Sequence, residues 1–428
     1  MERLELNHYR CFEHLELSFA PGVNLLIGDN ASGKTSLVRA MTSVLSSFFA
    51  GYSDENTRFI GLRKDDFRIV ETETGLANEE EIVVNFNFLE RTASMQLISK
   101  KSRTLHTPLE AIASLGHEME ERLFKEGKQA LALPLFASFS TSDIHSIRKL
   151  SMEKFKKYKH KPSFGYYECL QGDGFLEYWT NRLLVLREGN ADNLEFEGVH
   201  KALCDFLGEK GCNVIFDVGV WPRQGTITYF LMDGRVTDTS NLSDGLRRLV
   251  NIGMDLAFRC MLLNQGIYGI EACKKTEGTV VIDEIDLHLH PSLQALVVQG
   301  LQNAFPKLQF IITSHAPMVM SSIPNDENHK IIQLGYSKAE GYTAKTIGTY
   351  GMDSNTIIET VLGLVPRAKA VDDELNVLFE LIDNDDYPAA KTKLESMRAV
   401  FGDTLPDLVR AETMLNFFTD NQENDPDQ

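Results

Sequence analysis

The sequence predicts an α/β fold built around a phosphate-binding loop, and three stretches predict it. Gly28-Asp29-Asn30-Ala31-Ser32-Gly33-Lys34-Thr35 reads G-x-x-x-x-G-K-T. Thr279-Val280-Val281-Ile282-Asp283-Glu284 and Phe310-Ile311-Ile312-Thr313-Ser314-His315 are short apolar runs that each end in polar groups. Apolar runs of this length suit buried strands.

In chain order, Leu4 and Leu6, then Leu15, Leu17 and Phe19, alternate with polar residues and predict a strand hairpin within residues 1–27. Val23 to Ile27 is a continuous apolar strand, and Leu37, Met41, Val44, Leu45 and Phe48 follow the glycine loop at helical spacing. Strand, loop and helix give the motif its mechanism. Backbone N–H groups of Gly28, Asn30, Ala31, Ser32, Gly33 and Ser36 and the helix N-terminus face phosphates, Lys34 neutralises the β and γ phosphates, and the Thr35 hydroxyl ligates magnesium. ATP and Mg2+ are therefore the expected ligands. Glu81 to Phe88 alternates as a strand of an antiparallel layer, and residues 107–128 form a helix with Leu109, Ile112, Leu115, Met119 and Leu123 on one stripe.

Residues 148–161 hold seven Lys/Arg against one acid, with Phe155 and Tyr158 interleaved. Lys154, Lys156, Lys157, Lys159 and Lys161 make this either a nucleic-acid contact or a solvated loop. Residues 175–207 read as helical, on Phe175, Tyr178, Trp179, Leu183 and Leu186. Residues 213–237 return to alternation, with Val214, Phe216 and Val218 on one face, then Ile227, Tyr229 and Leu231, and Asp233-Gly234 as a turn. Leu242-Ser243-Asp244-Gly245 precedes a helix through Leu263; Ser243 and Gly245 serve there as an N-cap or as donors to a terminal phosphate.

The two carboxylates ending the Thr279 strand match phosphoryl transfer, with Asp283 for magnesium and Glu284 to polarise the attacking water. His315, at the end of the next strand, stands within reach of a γ-phosphate. His288 and His290 form an H-x-H pair without further His or Cys at metal-ligand spacing, so loop packing at a dimer interface is the better account.

Composition bounds the rest. With 43 basic and 61 acidic residues the net charge is −18, which argues against an overall nucleic-acid binder and leaves any such contact to a local patch. The six cysteines form no C-x-x-C pair, so neither a zinc site nor a disulfide framework is indicated and the cytoplasm is the expected compartment. No apolar run approaches the roughly 20 residues that span a bilayer.

The four motifs, in this order, resemble the ATP-binding-cassette ATPases of SMC and RecF type. The resemblance covers roughly residues 1–335 and implies an α/β cassette with a mixed sheet, an antiparallel β layer and a short helical insertion. The run Asp283-Glu284-Ile285-Asp286-Leu287-His288-Leu289-His290-Pro291, the Leu-Ser-Asp-Gly signature and the tail from Tyr350-Gly351-Met352-Asp353 onward are similar to the ATPase subunits of Septu anti-phage systems, also found beside some retrons. That family implies ATP held between Lys34 of one protomer and Ser243 and Gly245 of another, hence a homodimer or higher homo-oligomer. It further implies Asp286 in the loop crossing the dimer, His315 as γ-phosphate sensor, Arg10 beside the nucleotide, and a separate HNH nuclease subunit as partner. A RecF-like DNA clamp acting alone is the alternative; a membrane partner is not expected.

The expected domains are a cassette lobe at 1–95, a helical insertion and basic segment at 96–210, a second cassette lobe at 211–335 and a helical region at 336–428. Too few residues follow His315 for a nuclease domain, so hydrolysis of ATP, slow or regulatory, is the only activity expected. Asp65-Asp66-Phe67-Arg68 stands nearest the place of the family's glutamine loop. In the tail, Leu375, Leu378, Phe379 and Ile382 make one helical stripe, Ala390, Leu394 and Met397 a second, and Leu408, Ala411, Leu415 and Phe418 a third, with Phe401-Gly402 a stop and Asp420–Gln428 an acidic, disordered end.

Overall fold

A computed structural model describes residues 1–52, 58–72, 75–98, 109–127, 131–141, 161–171, 175–188, 193–365 and 367–423. It divides into two units, 1–354 and 355–428.

The first unit opens with the expected hairpin, β1 (Arg3–Tyr9) and β2 (Phe12–Ser18), with Leu4 paired to Leu17 and Leu6 to Leu15. These four leucines are buried, as their alternation requires. β3 (Val23–Gly28) leaves that layer and enters another sheet, and α1 (Lys34–Ser46) follows the glycine loop. After the hairpin β4 (Ile69–Thr72) and β5 (Gly75–Asn78) come β6 (Glu81–Phe88) and β7 (Arg91–Ile98), which complete an antiparallel sheet in the order β2-β1-β6-β7. The helix α2 (Glu110–Glu126) precedes β8 (Leu135–Phe139), and α3 (Leu176–Glu188) and α4 (Leu194–Leu207) divide the helical stretch expected as one.

β9 (Ile215–Trp221), β10 (Thr226–Leu231) and β11 (Val236–Asp238) form a small antiparallel sheet. Its inward face corrects the sequence reading: Ile215 and Val218 are buried, whereas Phe216 is exposed. A register shift at Phe230/Leu231, where Leu231 meets Ile215, breaks the strict alternation, because one irregularity moves every later side chain to the other face.

The long helix α5 (Asp244–Tyr268) is buried along most of its length, including Asn251, Asp255, Arg259 and Asn264. Burial on all sides demands that each polar group be satisfied. Arg259 Nε donates to Asp255 Oδ2 at 2.6 Å and its Nη1 to the carbonyls of Gly165 and Tyr167, while Trp179 Nε1 donates to Asp255 Oδ1 at 2.7 Å. β12 (Gly278–Ile282), α6 (Val297–Ala304), β13 (Leu308–Thr313), β14 (Lys330–Ser337) and β15 (Gly341–Ile347) follow.

The central sheet runs β15-β14-β3-β13-β12-β8, with the inner pairs parallel and β15 antiparallel. This is the mixed sheet and antiparallel layer of the expected α/β fold, with α1 packed against strands of both sheets. The segment 336–353 is not helical, because β14 and β15 pair across it and extend the central sheet. Residues 1–335, expected as two lobes of one cassette with an insertion, fall within one unit, since the sheet gathers β3, β8, β12, β13 and β14 from distant stretches.

The second unit holds α7 (Lys369–Asp383), α8 (Tyr387–Phe401) and α9 (Pro406–Glu423). Leu375, Leu378, Ile382, Ala390, Leu394, Met397, Leu408, Ala411 and Leu415 form its core, the three stripes read from the sequence. Gly402 ends α8 at φ 81°, a conformation that favours glycine. α9 continues to Glu423, past the point where the sequence suggested disorder, and residues 424–428 lie outside the described residues. The basic stretch at 148–160, with Lys154, Lys156, Lys157 and Lys159, also lies outside them; Lys161 is described and half-buried. No helix among the described residues is long and apolar enough to cross a membrane.

Candidate nucleotide-binding site

Parallel register gathers the site. Ile282 pairs with Ile312 and Thr313 with Leu26, so the loop after β3, Asp283 after β12 and Ser314-His315 after β13 leave the same edge of the central sheet. The crevice beyond the carboxyl ends of parallel strands is the usual ligand position in such sheets.

The glycine loop depends on backbone that favours glycine. Gly28 lies at φ 150° and Gly33 at φ 95°; Ala31 takes φ 68°. A Cβ on Gly33 would lie 2.3 Å from Cζ of Phe12, and one on Gly28 would lie 2.4 Å from the Leu334 carbonyl oxygen. The loop is thus seated against the β1–β2 turn and β14. Lys34 is 8% exposed, and its Nζ donates to the Gly28 and Asp29 carbonyls at 2.7 and 2.8 Å. Burial lowers the Lys34 ammonium from the ordinary lysine range, and the carboxylates of Asp29, Glu284, Asp283 and Asp286 oppose that shift. Three acids from beyond β12 therefore lie close enough to act on the loop lysine. Asn30 is exposed, Ser32 buried, Thr35 exposed and Ser36 half-buried at the start of α1.

Asp283 is 3% exposed, and its Oδ1 accepts from Thr313 Oγ1 at 2.7 Å. The same hydroxyl accepts from the Glu284 N–H at 2.7 Å. Glu284 sits at φ 48°, a left-handed conformation unusual for a non-glycine residue, so its placement is over-determined by its surroundings. Arg248 supplies the other half of that restraint, donating to the Glu284 and Asp283 carbonyls at 2.5 Å each. Asp286 Oδ1 is buried with no hydrogen-bond partner among the described residues. His315 is half-buried at the site edge.

Ser243 caps α5, its Oγ accepting from the Leu246 N–H at 3.4 Å, and is exposed. Gly245 is buried, and a Cβ there would lie 2.4 Å from the His288 carbonyl oxygen, so the helix start is fitted to the loop after Asp286. His288 is exposed at φ 61°, and His290 caps a short helical turn through Ser292.

Arg10 has φ 52°; its N–H donates to the Asp66 carbonyl at 2.8 Å, and its Nε stands 4.0 Å from the Asp66 carboxylate. Arg39 of α1 joins the same carboxylate at 2.9 Å and reaches Asp65 at 2.8 Å. The segment considered for the glutamine-loop place is thus bound to α1 through arginine.

Four contributors escape the sequence reading. Thr313 lies within a quoted motif and Arg248 in the helix after Leu242-Ser243-Asp244-Gly245, but neither carries a signal of its role. Phe12 and Tyr342 pack edge to face at 5.2 Å beside the loop, and the Tyr342 hydroxyl donates to the Ala31 carbonyl at 3.5 Å. The donor set suits a nucleotide with magnesium: loop N–H groups, an ammonium, a threonine hydroxyl and a carboxylate are the hard partners that Mg2+ and phosphate select.

Comparisons with known proteins agree with this chemistry. Residues 23–321 match the family model described as "AAA domain, putative AbiEii toxin, Type IV TA system". The Retron Vc95 probable ATPase of Vibrio cholerae serotype O1 biovar El Tor is 36% identical over 131 residues, 30% of this chain and 25% of that protein. This match thus spans only a quarter of that relative's length. The Septu protein PtuA of Bacillus thuringiensis is 24% identical over 384 residues, 85% of this chain and 84% of that protein. Among solved structures, the SMC head bound to the C-terminal winged-helix domain of ScpA is 15% identical, with 81% of this chain and 98% of that chain covered at a TM-score of 0.45.

Proposed function

The chain belongs to the AAA-domain family matched over residues 23–321, and on that premise we propose that it is the ATP-hydrolysing subunit of an anti-phage defence assembly, whose ATP-driven dimerisation controls a separate HNH nuclease. The observation that carries the hydrolytic half is the parallel register that brings the loop bearing Lys34 and the acids after β12, Asp283 and Glu284, to one edge of the central sheet. The relatives named Septu protein PtuA and retron ATPase support the defence half.

In this reading Lys34 exchanges its bonds to the Gly28 and Asp29 carbonyls for phosphate oxygens, and the N–H groups of Gly28, Asn30, Ala31, Ser32, Gly33 and Ser36 complete the cradle. Thr35 and Asp283 would hold Mg2+, which when bound neutralises charge between the phosphates. Glu284, fixed by Arg248 and Thr313, orients water and accepts its proton. Ser243, exposed at the start of α5, reaches a nucleotide held by a second protomer; Gly245 allows the close approach of that helix to the loop carrying Asp286 and His288. His315 senses the γ-phosphate, and Arg10 borders the nucleotide. The compartment is the cytoplasm.

The test is affinity purification of the tagged chain from its host with and without ATP, followed by native mass. A small HNH protein in fixed proportion, with cutting that changes with nucleotide, supports the assembly. Recovery of a lone dimer whose hydrolysis rises with DNA replaces it with the clamp.

A further inference from the structure

Away from the nucleotide site, α4 and β9 bring together three side chains, two of them one helical turn apart and the third distant in sequence. His200 and Cys204 stand four residues apart on α4, hence on one face of the helix, and Asp217 projects from β9 opposite them. Their donor atoms all lie within 4.8 Å of one another. Cys204 Sγ is 4.0 Å from His200 Nδ1 and 4.0 Å from Asp217 Oδ1. Ligand bonds of about 2.0–2.3 Å in a tetrahedron set donor separations of roughly 3.3–3.8 Å, so the three donors close onto one ion by side-chain rotation, chiefly of Asp217.

The histidine is also oriented as a ligand. Its Nε2 lies 3.0 Å from the Val218 carbonyl oxygen, an acceptor that holds the ring proton on Nε2; Asp217 Oδ1, 3.1 Å from the same nitrogen, turns away from it to reach an ion at Nδ1. The lone pair of Nδ1 then faces the thiol, the arrangement by which a backbone carbonyl fixes a ligating imidazole. The Phe196 ring stacks on His200 with centroids 5.9 Å apart and planes 21° apart, limiting its rotation. All three residues are half-buried.

We propose that His200, Cys204 and Asp217 form a three-ligand site for a thiophilic divalent cation of the zinc class. Nitrogen, sulfur and carboxylate donors together select such an ion over magnesium, which takes all-oxygen sites. Binding releases the Cys204 proton to solvent and joins α4 to β9. That joint lies in the sheet from which the chain passes into Ser243 and α5, so the ion braces the lobe bearing the exposed serine.

The experiment uses the full chain purified through chelator, titrated with Zn2+ against a chromophoric competitor and with Co2+ by absorption. One tight equivalent is expected, with the thiolate charge-transfer band and intense visible bands of four-coordinate cobalt. Zn2+ should protect Cys204 from alkylation while Cys11 remains reactive, read by peptide mapping. Cys204→Ser should abolish the thiolate band, His200→Gln should weaken binding at least about tenfold, and Asp205→Asn should change neither. Absence of the band in the unmodified chain, or its persistence in Cys204→Ser, overturns the site. The spectrum and the protection of Cys204 need no variant, so a misfolded substitution leaves the answer intact. Mg2+-dependent hydrolysis is a separate readout, and its loss or retention does not bear on this ion.

Discussion

Arg248→Met tests how Glu284 is held in its left-handed conformation. Arg248 is 4% exposed and donates to the carbonyls of Asp283 and Glu284 at 2.5 Å each. Methionine keeps much of the apolar stem and removes both charge-assisted bonds. Each such bond contributes about 1.5–3 kcal/mol, so about 3–6 kcal/mol of local restraint is lost in gross terms. Much of that relaxes through repacking and water. If about a third is expressed at the reacting geometry, a loss of roughly 1–2 kcal/mol lowers kcat about 5- to 30-fold. Lys34 and the glycine loop do not touch Arg248 through any of these bonds, so nucleotide affinity should change less than about threefold. Steady-state phosphate release gives kcat, and titration with a fluorescent ATP analogue gives Kd. An unchanged kcat, or a Kd that weakens as much as kcat falls, refutes the claim that Arg248 acts through the position of Glu284.

Two further substitutions probe the loop and the core. Gly33→Ala places a Cβ 2.3 Å from the fully buried Phe12 ring at φ 95°, and strain plus overpacking should cost roughly 2–4 kcal/mol; denaturant unfolding and loss of nucleotide binding are the readouts. Arg259→Met leaves Asp255 buried without its cation and should cost about 3–5 kcal/mol in urea unfolding. Adding Asp255→Leu should cost less than the sum of the two single changes, because neither then strands a buried charge.

The strands and loop of the nucleotide site were legible because each rests on local pattern. An apolar run ending in Asp283-Glu284 reads as a strand wherever it pairs, and the glycine loop carries its own conformational demand. The tail helices were legible for the same reason, their stripes needing only each other for burial. What escaped depends on distant partners. Nothing near Arg248 announces that it reaches the carbonyls after β12, and Tyr342 reaches Ala31 only because β14 and β15 extend the sheet beside β3. Phe216 lies on the face opposite to the one its alternation predicts, because a register shift against β10 interrupts the period. His200, Cys204 and Asp217 share no motif spacing, since α4 and β9 meet only in the folded chain.

In the proposed function Lys34 binds the phosphates and Glu284 performs the hydrolytic step. One side-by-side measurement tests it: ATP binding and phosphate release for the unmodified chain, Lys34→Ala and Glu284→Gln, with native mass recorded in ATP. Lys34→Ala should lose binding at least about tenfold, since a buried ammonium contacting phosphate is removed. Glu284→Gln should bind ATP normally, release phosphate at least about a hundredfold more slowly, and accumulate as a dimer. Normal hydrolysis by both variants contradicts the site assignment.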